Sequence, residues 1–582
     1  MVRRKLVWLL MVTWLLTLVL AACGEGEKAP TEPATATPTA AATLSPLATG
    51  TPAASPSGTA AVTPGQAVVL DLAVTAPLLT IFAGEPVPPP TTQPTGDLRH
   101  DIAAVAVGDF NDDGIDDLLI GARFADGPDD SRQGAGEAYV IFGSRDLKGT
   151  IDLGQGEQDL TIFGAKGAGV GVGGADNLGM SVAAGDLNDD GVDDIIVSAP
   201  MSDGIKDPDY RTDRGEVYVI FGGAGLAGTI DIAEGEQDVT IIAAEGFSLM
   251  GDSMATGDVN GDGITDLVLG APFAGRVPGS PHGSARTVLG EVYVIFGSPT
   301  LGGSISIPEG QQDFTISGPE ERSELGDAMA VGDVNGDGID DIIATAEMAD
   351  DPDGARPNAG VVYVVFGSTD LGGLTDTVKG EQDLTIVGAD AQGALGFSST
   401  SGDINGDGID DIILVAQRAD GAGQTRTTSG EAYVIYGSAD LKGTIDTLAG
   451  DQDITITGAD AHDLLSSCSA SGDLDGDGIA DLILGTSFGR GPDNRRSGAG
   501  EVYVIFGSPD LERSLDLAQA SYDMVIFGGE DGDRLGGGVI TADINGDGRQ
   551  EIIAVAVGAD GPGNARADAG EIYVITAIGE GP

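Results

Sequence analysis

The sequence predicts an all-β fold, a seven-bladed β-propeller of four-stranded blades with hairpin Ca²⁺ loops, and three observations predict it. A phrase like Gly215-Glu216-Val217-Tyr218-Val219-Ile220-Phe221-Gly222 recurs, with its tyrosine at Tyr139, Tyr218, Tyr293, Tyr363, Tyr433, Tyr503 and Tyr573. An acidic turn of the form D-x-[ND]-x-D-G-x-x-[DE] accompanies each copy. The segments between them are short, rich in β-branched and aromatic residues, and punctuated by Gly, with no helical period of useful length. Seven copies of one supersecondary unit in 582 residues point to a single repeat body instead of several unrelated domains.

From the N-terminus, Arg3, Arg4 and Lys5 precede an apolar run from Leu6 to Leu20 that ends in Leu20-Ala21-Ala22-Cys23. This resembles a bacterial lipoprotein signal with its lipobox, so residues 1–22 are expected to be a cleaved signal peptide and Cys23 the lipidated residue. Residues 23–66 continue as Thr, Ala, Pro, Ser and Gly, a composition that buries no apolar surface and reads as an extended, disordered stalk. Localisation outside the cytoplasm, tethered by lipid to the cell envelope or surface, is the expectation.

The propeller is expected over 67–582. Each repeat offers a pair of strands such as Gly149-Thr150-Ile151-Asp152 and Leu160-Thr161-Ile162-Phe163, then a small-residue strand running into the acidic turn. A short apolar strand such as Asp194-Ile195-Ile196-Val197 follows, and the tyrosine phrase comes last. The tyrosine phrase is apolar on both faces, which suits a sheet covered on both sides by neighbouring sheets. Val68-Val69-Leu70-Asp71 and Leu79-Thr80-Ile81-Phe82 correspond to the strand pair that the last repeat lacks, so the N-terminal strands are expected to complete the final blade and fasten the ring.

The acidic turns carry the chemistry. Their side chains are Asp109, Asn111, Asp113 and Asp117; Asp186, Asn188, Asp190 and Asp194; Asp258, Asn260, Asp262 and Asp266; Asp333, Asn335, Asp337 and Asp341; Asp403, Asn405, Asp407 and Asp411; Asp473, Asp475, Asp477 and Asp481; and Asp543, Asn545, Asp547 and Glu551. Hard oxygen ligands at positions 1, 3, 5 and 9, a carbonyl at 7 and Gly at 6 are what Ca²⁺ requires, giving up to seven ions. Asp, Asn and Gly also make plain turns, but one spacing kept in seven copies favours ligation. An EF-hand is excluded, because position 12 is apolar, as at Ile120 and Val197, and lies in a strand. The seventh loop departs most, with Arg549 at position 7 and Glu551 at position 9. A formal charge of −64 also calls for cations and excludes general affinity for nucleic acid.

Phe163-Gly164, Ser198-Ala199-Pro200, Gly270-Ala271-Pro272 and the Asp-x-Asn-x-Asp-Gly loops resemble FG-GAP repeats, the units of the integrin α-chain N-terminal propeller. The resemblance implies Ca²⁺ on the lower face at the residues named above and ligand contacts in the loops of the upper face.

Catalytic material is sparse. Histidine occurs only at His100, His282 and His462, and Cys468 occupies a slot filled elsewhere by Ala104, Ser181, Ser253, Ala328, Ser398 and Gly538, so it reads as a packing residue. The chain is therefore read as a non-enzyme. The alternative is a polysaccharide hydrolase or lyase with a site on the upper face. The loops joining second and third strands hold half of the 28 basic residues. Those around Arg276, His282 and Arg286, around Arg418 and Arg426, and around Arg490, Arg495 and Arg496 have more bases than acids and are the candidate ligand face for an anionic or polar partner. The partner expected there is a surface protein or glycan, met by a monomer that holds its membrane through the lipid.

Overall fold

The structure, a computed structural model, describes residues 67–84, 102–167, 175–203, 214–243, 248–274, 289–319, 323–421, 425–465 and 468–576. The signal segment, Cys23, the stalk and the loop residues Arg276, His282 and Arg286 lie outside them. In the first blade Ile102–Gly108, Asp117–Ala122, Glu137–Ile141 and Leu160–Phe163 pair antiparallel in that order, innermost strand first. Six further sheets repeat the plan.

The tyrosine phrase forms the third strand of each blade. Glu137–Ile141, Glu216–Ile220, Val361–Val365, Glu501–Ile505 and Glu571–Ile575 are buried at every residue, as two-faced hydrophobicity requires. Burying a phenol demands a partner for its hydroxyl. The Glu two residues earlier, on the same face of the strand, supplies it: Tyr139, Tyr218, Tyr293, Tyr433 and Tyr573 donate to Glu137, Glu216, Glu291, Glu431 and Glu571 at 2.5–2.7 Å, and Tyr503 donates to Glu501.

Neighbouring innermost strands touch all the way round, and Ile102–Gly108 meets Leu535–Ala542 of the seventh blade, so the ring is closed. Hydroxyls stitch this inner wall. Thr256 donates to the carbonyl of Ala184 at 2.8 Å, Ser401 to Val331 at 2.8 Å and Thr541 to Ser471 at 3.2 Å, each reaching the preceding blade. The apolar core lies between blades: Leu119, Val140 and Leu160 of the first pack against Ile195, Val197 and Tyr218 of the second.

One feature differs from the sequence expectation. Every sheet has five strands, because the first strand of each repeat's outer pair crosses to the preceding blade and pairs parallel with its outermost strand, as Gly228–Asp231 does with Leu160–Phe163. Covering an open sheet edge is the physical gain. The return crossover is a short 3₁₀ turn: Asp231 caps Ile232–Glu234 by accepting from the Ala233 amide at 3.0 Å, and Gly235 closes it in the left-handed region. The N-terminal strands consequently divide. Leu79–Phe82 completes the seventh blade against Glu571–Ile575, as expected, whereas Val68–Asp71 latches onto Met524–Phe527 of the sixth.

Five of the seven latches end in an aspartate clasped by an arginine from the upper loop of the blade they cover, whereas Gly303–Ser306 ends in a serine and Asp376 pairs with Lys379 at 2.8 Å. Arg132 donates from both terminal nitrogens to Asp231, each at 2.6 Å, and also to the carbonyl of Gly164. Arg356 holds Asp446, Arg496 holds Asp71 and Arg566 holds Asp152 in the same way, and Arg426 reaches Asp516 and Gly458. The guanidiniums hold Asp71, Asp152, Asp231, Asp446 and Asp516 below the usual carboxylate range. These charge-assisted clasps tie five latches to the blade before them, four of them through two parallel bonds.

Candidate metal centres

All seven acidic turns are hairpin loops between the first and second strands, at one end of the ring, and all are built alike. The position-1 aspartate accepts from the amide at position 5 at 2.9–3.1 Å and from the glycine amide at position 6 at 2.7–2.9 Å. The position-5 aspartate accepts from position 7 at 2.9–3.0 Å. The glycine at position 6 has φ between 80° and 90° in every loop, and a Cβ there would meet nothing within 4 Å in any of them. Backbone conformation, and not space, demands glycine.

The position-9 carboxylate is the buried member. Asp117, Asp194, Asp266 and Asp341 are 0% exposed. Each accepts from the backbone at position 2 and from the glycine that follows the tyrosine phrase, as Asp117 does from Phe110 at 3.0 Å and Gly143 at 2.8 Å. That glycine also permits close approach, since a Cβ on Gly143 would stand 2.1 Å from the Asp116 carbonyl. Burial, reinforced by like charges within each loop (positions 1 and 5, but 1 and 3 for Asp481), pushes Asp117, Asp194, Asp266, Asp341, Asp411 and Asp481 up to about 7, with backbone hydrogen bonds opposing.

A carboxylate has about four lone-pair positions, and the turn bonds leave room at positions 1, 5 and 9 for a hard cation. In the sixth loop, where Asp475 replaces Asn, one oxygen each of Asp473, Asp475 and Asp481 lies within 4.8 Å of the others. In the first five loops and the seventh the position-3 Asn directs its amide nitrogen at the position-9 carboxylate, as Asn335 does to Asp341 at 2.9 Å. A half-turn of that amide presents its oxygen instead and completes the same donor set. The residues present therefore fit a divalent cation at positions 1, 3, 5 and 9.

Neighbouring loops are linked. The carboxylate at position 8 of one loop accepts from the first amide of the loop before it: Asp193 from Asp109 at 3.0 Å, Asp340 from Asp258 at 2.9 Å and Asp116 from Asp543 at 2.9 Å. Position 8 and the glycine after the tyrosine phrase were not among the sequence candidates. The signal for the first was Asp at Asp116, Asp193, Asp340 and Asp410 directly before the position-9 residue.

On the opposite face the candidate ligand arginines separate. Arg426 and Arg496 are clasp residues with their charge engaged inside the ring. Arg490 stands 3.9 Å from the buried Asp463, and Arg495 is exposed beside Asp493 at 3.3 Å. Arg418 lines a cavity with Asp390, Gln392, Asp420 and Thr428. Burial pushes the Cys468 thiol up, away from thiolate chemistry, and its sulfur lies 3.8 Å from the Val539 carbonyl.

The family model described as FG-GAP repeat matches residues 102–141, 178–220, 250–295, 325–365, 395–435 and 469–505, each stretch running from the innermost strand through the third strand of a blade. Among curated proteins, phosphatidylinositol-glycan-specific phospholipase D of Bos taurus is 31% identical over 37% of this chain and 25% of its own length. Integrin alpha-PS2 of Drosophila melanogaster is 28% identical over 38% of this chain and 14% of its own, and integrin alpha-5 of Xenopus laevis is 28% identical over 42% and 19%. The chain thus spans about a quarter or less of the length of these relatives.

Proposed function

The chain is an FG-GAP repeat β-propeller of the integrin α-like kind, and on that premise we propose that it is a non-enzymatic recognition or adhesion module, lipid-anchored at Cys23 on a cell surface and loaded with structural Ca²⁺. The observation that supports this is the contrast between its two faces. The turns of one face repeat the same hydrogen bonds in all seven blades, whereas the upper loops differ in length and charge from blade to blade. Repetition is what a scaffold needs, and variation is what a specific ligand needs.

Ca²⁺ in this reading neutralises carboxylates that burial would otherwise leave uncompensated, and extracellular calcium suits weak sites of this type. The partner is a surface protein or glycan met by a monomer, without nucleic acid. The test is adhesion of the immobilised protein to whole cells, with the triple variant Arg276→Glu, Arg286→Glu, Arg495→Glu as comparison. A Ca²⁺-dependent adhesion that falls at least tenfold in the variant is the expected result. Equal adhesion by both proteins removes these loops as the ligand face, and no adhesion to any cell type removes the recognition reading.

A further inference from the structure

The upper-face connections of the fourth and fifth blades enclose a cavity of about 380 Å³, lined by Asp390, Ala391, Gln392, Arg418, Asp420 and Thr428. Its volume falls in the ~300–1,000 Å³ span of small-molecule sites. Its lining groups are mixed: two carboxylates, a guanidinium, an amide and a hydroxyl stand among apolar surface that includes the methyls of Ala391 and Thr428, with no aromatic ring.

Electrostatics narrow the choice further. Arg418 also interacts electrostatically with Asp327 and Glu347, whose carboxyls burial pushes up to about 6 and about 8, and Glu347 is 6% exposed with its Oε2 buried and unbonded. Within the lining, Asp390 and Asp420 set two carboxylates against the one guanidinium. An anion would meet net repulsion, so the electropositive pocket that the bases of this loop suggested is not formed here.

The lining is also held in place. Thr428 donates its amide to Asp420 at 2.9 Å and shares its hydroxyl with His462 Nδ1 at 2.9 Å, and Gln392 donates to the Pro357 carbonyl at 3.0 Å while accepting from Asn358 at 3.2 Å. Thr428, Gln392 and His462 have φ of 49°, 65° and 71°; at the turn position of Thr428 two other blades have Gly134 and Gly498, and two more keep side chains there, Asn358 at 48° and Asp568 at 51°.

We propose that this cavity is a subsite for a neutral polyhydroxylated ligand, a hexose unit of a glycan, with Asp390 and Asp420 accepting from its hydroxyls and Arg418 donating to them. The inference rests on the reading of the upper face as the ligand face. Its test is saturation-transfer NMR and calorimetry on the intact protein with glucose, galactose, mannose and glucuronate, alongside Asp390→Asn and Arg418→Gln.

The expected result is saturable binding of at least one neutral hexose, with glucuronate bound at least tenfold more weakly. Asp390→Asn should weaken the hexose at least tenfold without changing the melting temperature, and this near-isosteric variant keeps the test valid if Arg418→Gln misfolds. Absence of saturable hexose binding, a preference for glucuronate, or unchanged affinity in Asp390→Asn would each overturn the subsite. Cell adhesion retained alongside such a failure removes the subsite and leaves the recognition reading standing.

Discussion

Removal of residues 67–83 is expected to give a chain that cannot close its ring. The deletion takes away the fourth strand of the seventh blade, the latch on the sixth and the aspartate of the Arg496 clasp. It also leaves Gly149–Asp152 without the strand it pairs with. Leu79 and Ile81 are 0% exposed, so their loss alone removes about 1.5–3 kcal/mol each. Exposed sheet edges and the unsupported Arg496 guanidinium add to that, and the total is comparable with the ~5–15 kcal/mol net stability of a folded domain. Near-UV circular dichroism and limited proteolysis should report a molten, cleavable product. Asp71→Asn isolates one part of the effect: it retains both strands and weakens the clasp, so a folded protein destabilised by about 1.5–3 kcal/mol is expected. A deletion variant that melts like the parent would mean the ring closes without its N-terminal strands.

The second large effect is an unusual pH dependence in the metal-free protein. Position-9 carboxylates have folded values near 7 against an unfolded 3.8. The folded state therefore binds more protons across that interval, and stability must fall as pH rises through it. The clasp aspartates have the opposite sign. Their folded values are lowered by arginine, so their contribution is present above the unfolded value and lost in acid. Metal-free protein should thus be most stable in mild acid. Between about pH 5 and about pH 8 its melting temperature should drop by roughly 12 °C or more, given about 1 kcal/mol or more for each of the buried carboxylates and ~2 °C per kcal/mol. Saturating Ca²⁺ should abolish the fall by holding the same carboxylates as anions. A flat profile in EDTA would show that burial does not strain these groups.

The blade count, the turn geometry and the buried third strand were legible because each is written within one repeat. The two-faced apolarity of Val217 to Phe221 announced a strand enclosed on both sides, and Gly at position 6 announced the positive φ found in every loop. What crosses between blades was not legible. Gly228–Asp231 carries no mark telling whether it pairs within its own sheet or across the gap, because parallel register depends on the neighbour. The clasps left a trace that composition obscured: an arginine stands five residues before the first residue of every third strand, at Arg132, Arg211, Arg286, Arg356, Arg426, Arg496 and Arg566. Read as loop charge Arg426 and Arg496 suggested a ligand face, whereas Arg132, Arg356, Arg426, Arg496 and Arg566 pair with aspartates that end latches.

The most direct test of the account is thermal unfolding of the protein in EDTA, followed by addition of Ca²⁺ or Mg²⁺. Ligands that bind only the folded state raise its stability by mass action. The seven turns predict a large rise with Ca²⁺ and a much smaller one with Mg²⁺, which prefers a tighter octahedral shell than these flexible loops provide. An unchanged melting temperature would contradict the account, because the acidic turns would then be turns alone and the charge they gather would have no counter-ion.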